Sequence, residues 1–151
     1  MSLNDDIALL STVPLFNEIS DDKLRLIAFG AERRSLSAGQ ELFREGTMAD
    51  CAYVVAGGEL TLTAKGRDGK PRLVDTVGRG TLLSELALIS AVERKFTAKA
   101  ETGSEVMRIN RQLFHRMLEE YPEIGALMET RLTQNFQSMV ARLEALQGKF
   151  A

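Results

Sequence analysis

The sequence predicts an α+β fold: an antiparallel β barrel or jelly roll, entered through short helices and left through longer ones. Three observations carry this. Between residues 33 and 109 glycines stand at 39, 46, 57, 58, 66, 69, 78, 80 and 103, with short runs of β-forming residues between them. Many short strands with regularly spaced turns close into barrels or jelly rolls. On either side of that stretch apolar residues recur at helical spacing instead. The length, 151 residues, suits one domain with a substantial core.

Residues 1–32 read as an N-terminal helical segment of that domain. "DDIALLSTV" is followed by Pro14-Leu15-Phe16, and then by "SDDKLRLIAFG". In the latter Ser20 is placed to cap, Asp21 and Asp22 suit the first turn, and Gly30 is the expected stop. Residues 33–109 form the barrel. "CAYVVA" is an unbroken apolar run and reads as a buried strand. "ELTLTAK" alternates, setting Leu60, Leu62 and Ala64 against Thr61, Thr63 and Lys65. "RLVDTV" and "SEVMRI" are further strands, and "FTAKAE" opposes Phe96, Ala98 and Ala100 to Thr97, Lys99 and Glu101. Asp68-Gly69 suits a tight hairpin turn, because both residues tolerate positive φ.

Residues 110–151 turn helical. Asn110 is a cap candidate ahead of a stripe of Leu113, Phe114, Met117 and Leu118, and Pro122 opens a second helix. Along it Leu132, Phe136, Met139, Leu143, Leu146 and Phe150 keep alternating spacings of four and three, a heptad seam. Such a seam fits either a partner helix or the helix's own domain. A small barrel leaves a long helix little to cover, so a homodimer through this seam is the expectation.

Composition narrows the function. The formal net charge is −2, with 44% hydrophobic and 26% charged residues, so nothing draws the chain globally to nucleic acid or an acidic membrane. No apolar run approaches the roughly 20 residues that span a bilayer, and no signal-peptide layout opens the chain. A cytoplasmic address and no membrane partner are expected. One cysteine excludes an internal disulfide and a cysteine-built metal site. The single histidine, His115, stands on a helix away from any acidic cluster, and Cys51 reads as core packing. Neither a nucleophile constellation nor metal-ligand spacing is present, so no catalytic residue and no metal are expected. Arg33, Arg34, Arg108 and Arg111 read as solvated faces.

The segment "GTLLSELALISAVERKFTAKA" carries the chemistry. Glu85 lies inside an apolar run and Arg94 follows nine residues later. Charged groups in such surroundings need a partner or a ligand. Taken with "AGQELFREGTMADCAYVVAGGELTLT" and "ETGSEVMRI", the segment resembles the cyclic-nucleotide-binding domain family, whose members include catabolite-activator-type regulators, kinase regulatory subunits and nucleotide-gated channels. Gly39, Gly46, Gly58 and Gly80 fall at the family's turn positions, and Asp50 and Tyr53 match its signature. The likeness runs from about Pro14 into the final helix.

What the resemblance implies is a jelly-roll barrel with short N-terminal helices, a phosphate-binding-cassette helix and a long C-terminal helix. The cassette would be Leu83-Ser84-Glu85-Leu86-Ala87-Leu88 followed by Arg94. By position, Glu85 would accept the ribose 2′-hydroxyl and Arg94 would pair with the cyclic phosphate of cAMP or cGMP. A guanidinium offers two donors to the two free oxygens of a phosphodiester, and helix N-terminal amides would add others. Three departures stand out. Ser84 replaces the family glycine, so a side chain projects where the backbone should approach the sugar-phosphate, and glycine permits conformations that cost serine about 1 kcal/mol. Lys95 and Phe96 follow Arg94 where small residues are usual; Lys95 adds a cation, and Phe96 is placed to enter the purine space. The ligand-binding set is therefore Ser84, Glu85, Leu86, Arg94, Lys95 and Phe96. The family's polar pair on the last helix is here Met139-Val140, which implies weak choice of base. DNA-binding relatives carry a helix-turn-helix after that helix; with none before Ala151, a stand-alone sensor without a nucleic-acid partner is expected. A second reading stays open, in which Glu85 and Arg94 pair with each other in a scaffold that dimerises or docks partners without nucleotide.

Overall fold

Two four-stranded antiparallel sheets face each other across a dry interior, and helices cover the outer side of one of them. The computed structural model describes residues 2–134. The strands are β1 (Glu32–Leu36), β2 (Glu41–Phe43), β3 (Met48–Ala49), β4 (Cys51–Gly57), β5 (Leu60–Lys65), β6 (Pro71–Val77), β7 (Leu82–Leu83), β8 (Val92–Glu93), β9 (Thr97–Ala100) and β10 (Ser104–Asn110). One sheet runs β1-β10-β4-β7 and the other β2-β9-β5-β6, while β3 and β8 pair separately. The fold is an α+β jelly roll, as the strand pattern predicts.

The run "CAYVVA" does not alternate because β4 has no wet face. Cys51, Tyr53 and Val55 point between the sheets, where they meet Leu60, Leu62, Ala98 and Ala100. Ala52, Val54 and Ala56 point the other way, into the helical layer. β6 is the contrasting case: an edge strand with Leu73 66% and Val74 52% exposed. Its register shifts opposite Leu62 and Thr63, a bulge of the kind that blunts exposed edges. The β5–β6 connection is longer than a two-residue turn. Gly66 N–H bonds Lys70 O at 2.9 Å, and only Gly69 takes positive φ, at +77°. Asp68 instead turns its carboxylate onto the Lys70 N–H at 3.0 Å, the side-chain mimic of a turn that aspartate favours.

Helix α1 (Leu3–Ser11) starts at a reciprocal capping box between Ser2 and Asp5. A 3-10 turn follows at Pro14–Phe16, then α2 (Asp21–Gly30). Gly30 ends α2 without positive φ. Its role is proximity: a Cβ there would stand 3.2 Å from Leu113 Cδ2 on α3 (Arg111–Glu120). Gly58 is left-handed, with φ +81°, and a Cβ there would come within 2.7 Å of Gly103 O, so only glycine fits. Asn110 caps α3 as expected, its Oδ1 accepting from Leu113 N–H at 2.8 Å.

Residues 122–134 are helical and form α4. Ile124, Met128 and Leu132 lie along one face and are buried with Phe16, Leu24, Phe114 and Met117. Leu132, expected at the head of a partner-facing seam, is therefore fully buried within its own chain. The helix is amphipathic at this point, and its apolar stripe meets the N-terminal helices. Phe136, Met139, Leu143, Leu146 and Phe150 lie outside the described residues. Arg131 adds a polar tie: it donates to the carbonyls of Leu15 (3.0 Å) and Asn17 and pairs with Glu18 Oε2 at 3.0 Å. Glu18 sits at φ +75°, unfavourable for a residue with a Cβ, and this ion pair helps hold it there. Ile124, Met128 and Leu132 already anchor α4 in this core, so a chain ending at Gln134 is expected to melt in one cooperative transition. A broad, non-cooperative melt would show that residues 135–151 belong to the core.

Candidate functional site

The segment after β7 is short and tightly held. Leu82 and Leu83 pair with Val54 and Tyr53 of β4, and Ser84 then breaks the strand at φ 64°, ψ 43°. Glu85–Leu88 follow as a single 3-10 turn, with Ala87 and Leu88 buried. The expected cassette helix is thus one turn long, because Leu88 must reach the helical core and Ser90 must already leave it. A turn of this length sums few peptide dipoles, so side chains rather than a macrodipole define its electrostatics. Left-handed backbone at Ser84 marks the position as one that glycine would occupy with less strain. Ser84→Gly is expected to stabilise the fold by about 0.5–1 kcal/mol, the relief being reduced by glycine's greater freedom when unfolded. Denaturant unfolding of the two proteins measures it.

Arg111 fastens this turn to the rest of the molecule. Its Nε donates to Ala87 O at 2.8 Å, and its Nη2 to Ala49 O at 2.9 Å and Ser90 O at 3.0 Å. One guanidinium thereby joins the 3-10 turn, β3 and the start of α3. The expectation of a solvated face fails for Arg111, and for two of the other arginines. Arg33 is partly buried against Asp6, with Nε 2.9 Å from Oδ1. Arg108, half-buried, pairs with Asp50 at 3.4 Å and Glu32 at 3.9 Å. Each is drawn inward by a carboxylate or carbonyl that a neighbouring element supplies. Arg111 had a signal in the sequence: a cation in the first turn of a helix opposes the helix dipole and has to be engaged elsewhere.

Five of the six residues singled out in the sequence line one cleft of about 480 Å³, a volume in the range of about 300–1,000 Å³ typical for small-molecule sites. Ser84, Glu85 and Leu86 contribute from the turn, and Lys95 and Phe96 from the chain entering β9. Phe43, Leu62, Val77 and Leu82 make much of the remaining wall apolar. Asp75, Glu85 and Glu93 set three carboxylates against Lys95. Phe96 is half-buried against the inter-sheet core, so it occupies part of the wall rather than turning fully outward.

Arg94 does not line the cleft. Its backbone is pinned to the β2–β3 loop, Arg94 N to Thr47 O at 2.8 Å and Gly46 N to Arg94 O at 2.9 Å. The side chain turns in between the sheets and is only 6% exposed. Its Cζ lies 4.4 Å from the ring centre of Phe43 and 5.5 Å from that of Tyr53, two rings stacked at 6.0 Å. Nη2 donates to Cys51 Sγ at 3.4 Å, whereas Nη1 is buried without a hydrogen-bond partner. Cation–π contacts offset part of the cost of burying this charge, about 0.5–2 kcal/mol each. The unsatisfied donor costs about 1–3 kcal/mol. Cys51 is accordingly more than core packing, since its sulfur faces the guanidinium. Burial pushes the Tyr53 hydroxyl above its usual value, and the neighbouring Cys51 adds to the rise. Burial works against ionisation of Asp50, but Cys51 and the Arg108 guanidinium outweigh it and hold the carboxyl below the ordinary aspartate value.

His115 is exposed on α3. Among the described residues no three His, Cys, Asp or Glu side chains are grouped to hold a metal, and no helix is long and apolar enough to cross a membrane.

The jelly roll thus sets a turn of this sequence at the mouth of a largely apolar cleft. Residues 33–121 match the cyclic nucleotide-binding domain family, and the chain belongs to it. A cyclic nucleotide-binding-like protein from Brucella abortus is 49% identical, over 76% of this chain and 98% of that one, with a TM-score of 0.69. The regulatory domain of Toxoplasma gondii PKA, solved with cAMP, shares the fold at 20% identity and TM-score 0.75, over 89% of this chain and 50% of that one. Among curated proteins, lysophospholipase nte1 of Aspergillus terreus is 29% identical over 136 residues, which is 90% of this chain and 9% of that protein. The chain thus spans about a tenth of the length of the curated relatives it matches.

Proposed function

We propose that this domain is a sensor that binds a cyclic nucleotide, cAMP or cGMP, in the cleft bounded by Ser84, Glu85, Leu86, Lys95 and Phe96. The carrying observation is Arg94: a guanidinium 6% exposed, with a donor nitrogen that no group among the described residues satisfies. It lies one aromatic ring away from a cleft in which Lys95 is the one cation among the described lining residues. A phosphodiester monoanion supplies the acceptors that this nitrogen lacks. In this reading Glu85 accepts the ribose 2′-hydroxyl, Arg94 swings past Phe43 to the phosphate, and Lys95 adds a second cation. The purine rests on Leu62, Val77 and Phe96, carbon surfaces that discriminate little between bases. Ligand occupancy is passed on through Arg111, which ties the turn to α3, and onward to a homodimer formed by the C-terminal seam. The Toxoplasma domain was solved with cAMP, which makes cAMP the first ligand to titrate.

Calorimetric titration of the chain with cAMP and with cGMP tests the reading. Binding of both, with affinities within about tenfold of each other, is expected. If neither the natural sequence nor the Ser84→Gly, Phe96→Ala double variant gives heat at millimolar nucleotide, the domain is a docking or dimerisation scaffold instead.

A further inference from the structure

Cys51 occupies a position that the proposed ligand chemistry leaves unexplained. Its side chain is 1% exposed, yet its sulfur accepts from a charged group, the Nη2 of Arg94 at 3.4 Å. Sulfur is a weak acceptor, so it engages the guanidinium without satisfying it. The second nitrogen, Nη1, remains buried and unpartnered. The rings of Phe43 and Tyr53 close the remaining sides, at 4.4 and 5.5 Å. A side chain meant to stay there would be expected to have a carboxylate or a carbonyl in reach, as Arg33 and Arg111 have. Arg94 instead has a seat that holds it moderately and leaves a donor free for something else.

From this geometry we infer that Cys51 is a positioning residue for Arg94: its sulfur keeps the guanidinium parked behind Phe43, and the ease of leaving Cys51 sets the affinity for the anionic ligand. The inference rests on the cyclic-nucleotide reading above. While Arg94 is parked, Lys95 is the one cation among the described residues that line the cleft, so an incoming anion meets little positive charge there. When Arg94 swings out, the balance of the site changes by one positive charge and the phosphate gains its bidentate partner. Binding therefore includes the free energy of unseating, and apparent affinity is the intrinsic affinity multiplied by the fraction of molecules in the unseated state. A good seat weakens binding and a poor one strengthens it.

The test is a series at position 51. Cys51→Val and Cys51→Ala remove the acceptor, the first filling the space and the second leaving a small cavity, so that a packing failure in one does not end the experiment. Cys51→Ser keeps an acceptor, and a stronger one. Titrated with cAMP beside the natural chain, whichever of the Val and Ala variants melts cooperatively should bind about three- to tenfold tighter, the scale of one weak hydrogen bond, as a sulfur acceptor makes. The Ser variant should bind no tighter than the natural chain. A merely structural role for Cys51 predicts the opposite: all three variants weaken in step with their stability, and that result overturns the inference. Equal affinity in the natural, Val and Ala proteins overturns it as well. Exchange of the Arg94 guanidinium protons, followed by NMR without ligand and assigned against Arg94→Lys, separates this from the cyclic-nucleotide reading. If neither this series nor the Ser84→Gly, Phe96→Ala double variant binds nucleotide, that reading fails, and the exchange rate alone decides the seat. Faster exchange in Val or Ala than in the natural chain keeps it, and an unchanged rate removes it.

Discussion

Arg94→Met is expected to lower affinity for cyclic nucleotide by about ten- to a hundredfold, the worth of a bidentate charged partner to phosphate. Thermal stability should not fall with it. Replacing a buried, incompletely satisfied charge by an apolar side chain of similar length is commonly neutral or stabilising, and Nη1 of Arg94 has no partner to lose. Binding and stability therefore separate at this position. Arg94→Lys should recover only part of the affinity, because a point charge lacks the planar fork. Glu85→Gln should cost less than either, since an amide oxygen still accepts a hydroxyl. Parallel calorimetric titrations and melts decide the matter. A large drop in melting temperature with unchanged affinity would assign Arg94 to the core and remove it from the site.

Arg111→Ala carries the largest expected cost in stability, about 2–4 kcal/mol. The substitution strips donors from the carbonyls of Ala49, Ala87 and Ser90. The bonds to Ala49 and Ala87 are partly buried, and each of these carbonyls costs about 1–2 kcal/mol when left without its charged donor, whereas the bond to Ser90 is exposed and water replaces it. Arg111→Lys should restore less than half, because an ammonium cannot reach three carbonyls from the geometry of a planar fork. Urea unfolding gives the magnitude. A loss below about 0.5 kcal/mol, the range of ordinary surface substitutions, would show that water replaces the clamp without penalty.

The jelly roll was legible because its signals are local and repeated. Glycines 39, 46, 58 and 80 all take positive φ, and the doubly buried β4 shows in the chain as "CAYVVA". Asn110, Pro122 and the Leu113 stripe likewise announce helices through their own chemistry. Ser84 was legible as a substituted turn residue, and its left-handed backbone bears that out. The destination of Arg94 was not readable. Whether a guanidinium reaches into a cleft or between two rings depends on Phe43 and Tyr53, which lie far from it along the chain and carry no mark of that pairing. Cys51 was hidden for the same reason, because a buried thiol and a buried thiol facing a cation look alike in one dimension. Leu132 shows a different limit. A four-and-three spacing states that a helix has an apolar stripe, and only packing decides that the stripe meets α1, α2 and α3 at this point.

β4 belongs to both hydrophobic layers at once, Tyr53 and Val55 to one and Val54 and Ala56 to the other. A strand shared in this way has no independent opening reaction, since exposing either of its faces dismantles one of the two layers. The amides of Ala52 through Val55 should therefore trade their protons for deuterium only when the whole domain unfolds, and these sites become an internal gauge of global stability. Any ligand that prefers the folded form lengthens their lifetimes by a factor of one plus the ratio of free ligand concentration to Kd. A few slow peaks from one strand would then report, at a distance from the cleft and without calorimetry, whether anything has bound.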